Sequence, residues 1–108
     1  MPWTIDYYSE AVRLEIEALP VGIRAAYARL TELLEEFGLD LRMPHSRAMG
    51  GGLYELRPRG REGIARVFYC TLVGQRIIIL HSFIKKTHGT PTRELALARR
   101  RQREVCKP

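Results

Sequence analysis

Apolar residues recur along this chain with two different periods, and the change of period divides it. Ile23, Tyr27, Leu30, Leu34 and Phe37 follow one another at steps of four, three, four and three, the spacing of one helix face, and Gly38 supplies a natural stop. Before them, Val12, Ile16 and Leu19 give a shorter helix an apolar side. Ser9 is placed to cap that helix and Pro20 to end it. So tight a break predicts an antiparallel helical hairpin. Trp3, Ile5 and Tyr7 alternate with Thr4 and Asp6, a short first strand with one buried face.

After a loop from Leu39 to Ser46 the pattern turns strand-like in three runs: Ala48 to Pro58, Ile64 to Leu72 and Gln75 to Lys85. Gly50-Gly51-Gly52 in the first run suggests a bulge, while Pro58 to Gly63 and Val73-Gly74 read as turns. Connections this short predict an antiparallel meander. Thr90 and Pro91 then open a last helix, with Glu94 in its first turn and Arg99 to Arg103 in its last ones, the order the helix dipole favours. The order β-α-α-β-β-β-α predicts a single α+β domain over residues 1–108. In it a twisted antiparallel sheet carries the hairpin on one face, and the other face and the tail helix are left for a ligand. Leu53, Val67, Tyr69, Ile77 and Ile79 are expected to pack under Tyr27, Leu30 and Leu34.

Charge changes this picture, because it is divided as sharply as the periodicity. Residues 1–56 carry a net −4 and residues 57–108 a net +10, which the overall +6 conceals. A half so basic attracts polyanions, nucleic acid first among them. No apolar run reaches the length a bilayer requires, and the N-terminus lacks the basic start and apolar middle of a signal peptide. A cytoplasmic protein with no membrane partner is therefore expected. Cys70 falls in an apolar strand pattern and reads as a reduced core residue; Cys106 lies near a terminus expected to fray. Neither has a second ligand at metal spacing.

The sequence holds no phosphate loop, dinucleotide fingerprint, HExxH or nucleophile elbow, and its basic half has only Glu62, Glu94 and Glu104 as carboxylates. Two-metal chemistry is thereby disfavoured, and no cofactor is expected. Metal-free chemistry on RNA remains. RNA carries its own nucleophile in the 2′-OH, so a protein need only orient it, move protons and stabilise charge on phosphorus. Arg57 closes the Leu-Tyr-Glu-Leu-Arg run and Arg66 sits in the next strand, so both can address one phosphate with the guanidinium fork. Lys85 and Lys86 leave the last strand as further cations. His88 is the candidate acid or base by chemistry, while His81, inside a strand, reads as a hydrogen-bonded core residue. Arg59, Arg61, Arg99 and Arg100 are candidate RNA contacts, and Tyr54 is placed either to stack on a base or to join the core.

The Gly-Gly-Gly-Leu-Tyr-Glu-Leu-Arg-Pro-Arg-Gly strand, the Arg66 strand and the run Leu80 to Pro91 leading into an arginine-rich helix resemble phage-type RelE/HigB-like toxins of type II toxin–antitoxin modules. The likeness covers nearly the whole chain and is most specific from Gly51 to Arg101. It implies a RelE-like fold and an mRNA interferase that cuts message on the translating ribosome without a metal, through the 2′-OH. It also implies a cognate antitoxin, typically a helix-turn-helix protein. The resemblance assigns the phosphate-binding roles to Arg57 and Arg66 and the assisting ones to Lys85 and Lys86. The tail from Thr92 to Pro108 has no tyrosine, which shifts the proton-transfer role to lysine or histidine. Two other readings stay open: a ParE-like gyrase poison, and a basic RNA-binding domain that does not cut.

Overall fold

The computed structural model describes residues 2–86, 89 and 91–106. β1 (Thr4–Tyr7) leads into α1 (Glu10–Glu17), whose N-terminus is capped as expected: Ser9 Oγ accepts from the Val12 amide at 3.2 Å. α2 (Val21–Phe37) folds back beyond Pro20 and ends at Gly38. There φ is +53°, and an added Cβ would lie 2.1 Å from the Trp3 indole. β2 (Ser46–Gly50), β3 (Leu53–Leu56), the two-residue β4 (Arg59–Gly60), β5 (Gly63–Leu72) and β6 (Arg76–Ile84) follow, and α3 (Thr92–Val105) closes the chain. Thr90, expected to cap α3, lies outside the described residues.

The strands run in the order β1-β6-β5-β3-β2, with β4 paired to β5 off this path. The α+β class and the helical hairpin are as the pattern predicts, but the sheet is mixed rather than wholly antiparallel. β1 joins its edge parallel to β6, Thr4 beside Arg76 and Tyr7 beside Ile79, because the helical hairpin between them carries the chain back across the sheet. The expected single run from Ala48 to Pro58 is two strands. Gly50, Gly51 and Gly52 all have positive φ, 62–90°, and turn β2 back onto β3, with a register shift between Ala48 and Gly50.

Both faces of the sheet are covered. On one, Val12 and Ile16 of α1 with Ile23, Tyr27, Leu30 and Leu34 of α2 bury Leu56, Val67, Tyr69, Ile77 and Ile79. On the other, α3 brings Ala98, Leu95 and Val105 over Leu53, Phe68, Cys70, Ile78 and Leu80. Two expectations are corrected here: the second face is not left open, and Leu53 belongs to it instead of to the hairpin side. Its cross-strand neighbour Cys70 faces α3 as well. Ile77 through Leu80 are 0–4% exposed because an apolar run without polar alternation needs cover on both sides.

A bulge in β6 sets the top of this face. Phe68 pairs with His81 and Tyr69 with Ile79, so Leu80 is the extra residue and both Leu80 and His81 turn toward α3. His81 is the buried, hydrogen-bonded residue its strand position predicts: Nε2 lies 2.8 Å from a Glu94 carboxylate oxygen on α3.

α2 has no side-chain cap of its own; one arrives from the β4–β5 turn. Glu62 accepts from the amides of Gly22 at 2.9 Å and Ile23 at 3.2 Å, and these bonds hold its carboxyl below the ordinary value. A depressed folded pKa stabilises the fold above the ordinary glutamate range, and that contribution is lost as the pH falls through the folded value. Glu62→Gln should therefore melt below the wild type at neutral pH, and the gap should close in acid. Thermal melts across the acid range check this.

Candidate functional site

The union of α2 with the β4–β5 turn makes one wall of a cleft of about 630 Å³. Ala26, Arg29, Leu30 and Leu33 come from α2 at steps of three, one and three, an apolar stripe interrupted by one arginine. Pro44 and His45 come from the loop before β2. Arg57 comes from the link between β3 and β4, and Arg59, Ile64 and Arg66 come from β4 and β5. The lining thus holds four arginines and a histidine, and none of the described residues that line it is a carboxylate.

Backbone pairing explains the convergence. Arg57 donates its amide to the His45 carbonyl at 3.2 Å, which sets the two side by side. Arg59 pairs with Ile64 in the short β4–β5 ladder, and Ala65 donates to Pro58 at 2.9 Å. Only Ala65 and Arg66 separate Ile64, the partner of Arg59, from Val67, the partner of Leu56, so Arg66 lies at the same end of the sheet.

Arg66 is the most constrained member. It is 4% exposed, its Nε lies 3.5 Å from Glu55 Oε1, and its buried Nη1 has no hydrogen-bond partner among the described residues. Burial lowers its pKa, and the charges of Arg57, Arg47 and Arg59 add to that effect against the opposing pull of Glu55. A guanidinium crowded by three others and short of one acceptor is a site that an anion relieves.

The other predicted residues divide. Lys85 leaves β6 beside the cleft, its amide donating to the Ile64 carbonyl at 2.8 Å, and its side chain is half-buried. Lys86 turns to a different hollow, of about 440 Å³, with Phe83, Ile84, Pro91 and Glu94. His88 lies outside the described residues. Arg61 is exposed in the turn beyond Arg59. Tyr54 stacks on Tyr69, ring centroids 5.5 Å apart at 23°, and packs against the core on the hairpin face. Arg99 is committed to the fold: its guanidinium donates to the carbonyls of Met49 and Gly50, both at 2.7 Å, and so fastens α3 to the β2–β3 turn. Arg100 is exposed on α3.

Sequence reasoning missed Arg29, His45 and the partner of Arg66, Glu55. The signal for Arg29 was present: it lies between Ala26, Leu30 and Leu33 at cleft-facing spacing. His45 carried none, since its place depends on the pairing of its carbonyl with Arg57. Among the described residues no group of three or more His, Cys, Asp or Glu side chains gathers as a metal would require, and no helix is long and apolar enough to cross a membrane.

A mixed sheet between a helical hairpin and a basic C-terminal helix is the RelE fold. A chain of the crystal structure of the archaeal RelE–RelB complex from Pyrococcus horikoshii OT3 matches at TM-score 0.56 and 20% identity, over 78% of this chain and 96% of that one. No curated protein matches the sequence. Residues 14–103 match the family described as phage derived protein Gp49-like (DUF891), and the chain belongs to that family, one of RelE-like toxins.

Proposed function

We propose that this protein is the toxin of a toxin–antitoxin pair and cuts messenger RNA at the arginine-lined cleft. The observation that carries the reading is the convergence of Arg29, Arg57, Arg59 and Arg66 with His45 on one cavity with no carboxylate among the described residues that line it. A phosphodiester is the anion that suits it. The guanidinium forks of Arg57 and Arg66 bind the non-bridging oxygens, with Arg59 and Arg29 along the flanking backbone. The 2′-oxygen of the preceding ribose then attacks phosphorus and the bond to the 5′-oxygen breaks, leaving a 2′,3′-cyclic phosphate and a 5′-hydroxyl. The proton leaves the 2′-oxygen and one is delivered to the 5′-oxygen. His45, exposed at the rim, is the imidazole we assign to one of these transfers, and Lys85, whose amide bonds to the carbonyl of the cleft residue Ile64, is the lysine we assign to assist. Negative charge gathers on the phosphorane oxygens in the transition state, where fixed cations stabilise it most.

Arg61 and Arg100, exposed outside the cleft, are available to a larger polyanion, which we take to be the ribosome carrying its message. The partner that silences the toxin is a cognate antitoxin, a helix-turn-helix protein in this reading; the structurally similar archaeal chain comes from a RelE–RelB complex. Brief induction followed by mapping of transcript 5′ ends tests the function. New 5′-hydroxyl ends within coding regions are expected. Growth arrest with DNA-damage signalling and unbroken transcripts would instead identify a gyrase poison.

A further inference from the structure

The two cysteines, 36 positions apart in sequence, lie on the same side of the sheet, one in the layer under α3 and one at the end of α3. Cys70 lies on β5 with its side chain in the layer beneath α3, fully buried. Cys106 caps the C-terminus of α3 and is exposed. Three features set the position of Cys106 on the sheet. Ala98, Gln102 and Cys106 follow at steps of four on one side of the helix. Ala98 is buried against the layer that holds Cys70. Gln102 donates to the Gly51 carbonyl at 2.8 Å, beside the β3 residue Leu53 that pairs with Cys70. Val105, next to Cys106, packs on the same layer, and the neighbouring Cys106 thiol adds to burial in raising the pKa of the Cys70 thiol.

The geometry points to a reversible disulfide between Cys70 and Cys106, formed by exchange with a small-molecule disulfide of the glutathione class, that staples the last turn of α3 to the sheet. The exposed Cys106 thiolate attacks one sulfur of glutathione disulfide and releases one glutathione thiolate. Cys70 sulfur then attacks Cys106 Sγ in the mixed disulfide, gives up its proton to solvent and releases the second glutathione. The protein dithiol is oxidised and one glutathione disulfide is reduced to two thiols. Burial pushes the Cys70 thiol up to about 12, which makes Cys106 the point of attack and the Cys70 step the slow one, faster at higher pH. In a reducing compartment the pair stays open, and a shift of the thiol pool toward disulfide closes it.

Closure fixes the end of a helix whose docking buries the whole second face. The purified full-length chain, incubated with excess glutathione disulfide and then denatured and treated with a maleimide, should show the mass of the protein less two hydrogens, no maleimide adduct and full reversal by dithiothreitol. Its melting temperature should rise by roughly 5–15 °C over the reduced form. Cys106→Ser replaces an exposed side chain, so it should fold as the wild type does and lose that rise. A glutathione adduct that persists on Cys106, a covalent dimer, or two maleimide-reactive thiols would overturn the proposal.

Discussion

Replacing Arg66 with alanine should abolish growth arrest and lower stability together. The guanidinium is buried against a buried carboxylate, and removing one member of such a pair costs about 3 kcal/mol or more. The sequence alone casts Arg66 as a strand cation free to bind phosphate; its burial makes it a stability residue as well, so a dead Arg66→Ala protein proves little by itself. The double variant Arg66→Met with Glu55→Gln separates the two roles. Replacing the pair with matched neutral side chains is often close to neutral for stability. That protein should fold to near wild-type stability and still fail to arrest growth, by at least a hundredfold in surviving colonies. A well-folded double variant that arrests growth would show that Arg66 serves the fold alone.

Gly60→Ala should be severely damaging for so small a change. The added Cβ would sit 2.4 Å from the Gly22 carbonyl carbon and 2.4 Å from the Ile23 nitrogen, both backbone atoms in the first turn of α2. Backbone cannot swing aside as a long side chain can, so β4 and α2 must part. Overpacking against a rigid neighbour costs about 3 kcal/mol, which for a domain of this size lowers the melting temperature by roughly 12–24 °C. The same separation would pull the Glu62 carboxylate from the α2 amides and Arg59 from Arg29, so activity should fall with stability. Gly50→Ala is the control: an added Cβ there meets nothing within 4 Å, and only the positive φ penalises it, by about 1 kcal/mol. Denaturant unfolding of the two variants beside wild type measures the difference.

The helices were legible because their spacing is local. Ile23 to Phe37 repeats at helical steps, and Ser9 and Gly38 mark ends by chemistry that needs no tertiary partner. The strands from Ile64 and Gln75 were legible for the same reason. What the pattern did not give was long-range pairing. Nothing in Thr4 to Tyr7 says that it will lie parallel to β6, and the three glycines that turn β2 into β3 read equally as a bulge. The covered second face has a local signal, since Ile77 to Leu80 and Val67 to Cys70 have no polar alternation to spare a face for water. In the site, Arg57, Arg59 and Arg66 were visible as cations on or just beyond neighbouring strands. His45, Arg29 and Glu55 reach them only through contacts between distant segments, and Arg99, a cation of the same kind, is held by carbonyls instead.

In the proposed mechanism RNA supplies the nucleophile and the arginine cleft supplies the charge that the reaction needs. The most direct measurement uses ribosomes programmed with two messages that differ in one atom, the 2′-oxygen at a mapped cleavage position. The all-ribose message should be cut there and leave a 2′,3′-cyclic phosphate, and the message with 2′-deoxyribose at that position should stay whole. Cutting of the deoxy-substituted message at the same rate, or a 3′-hydroxyl on the upstream product, would contradict the account.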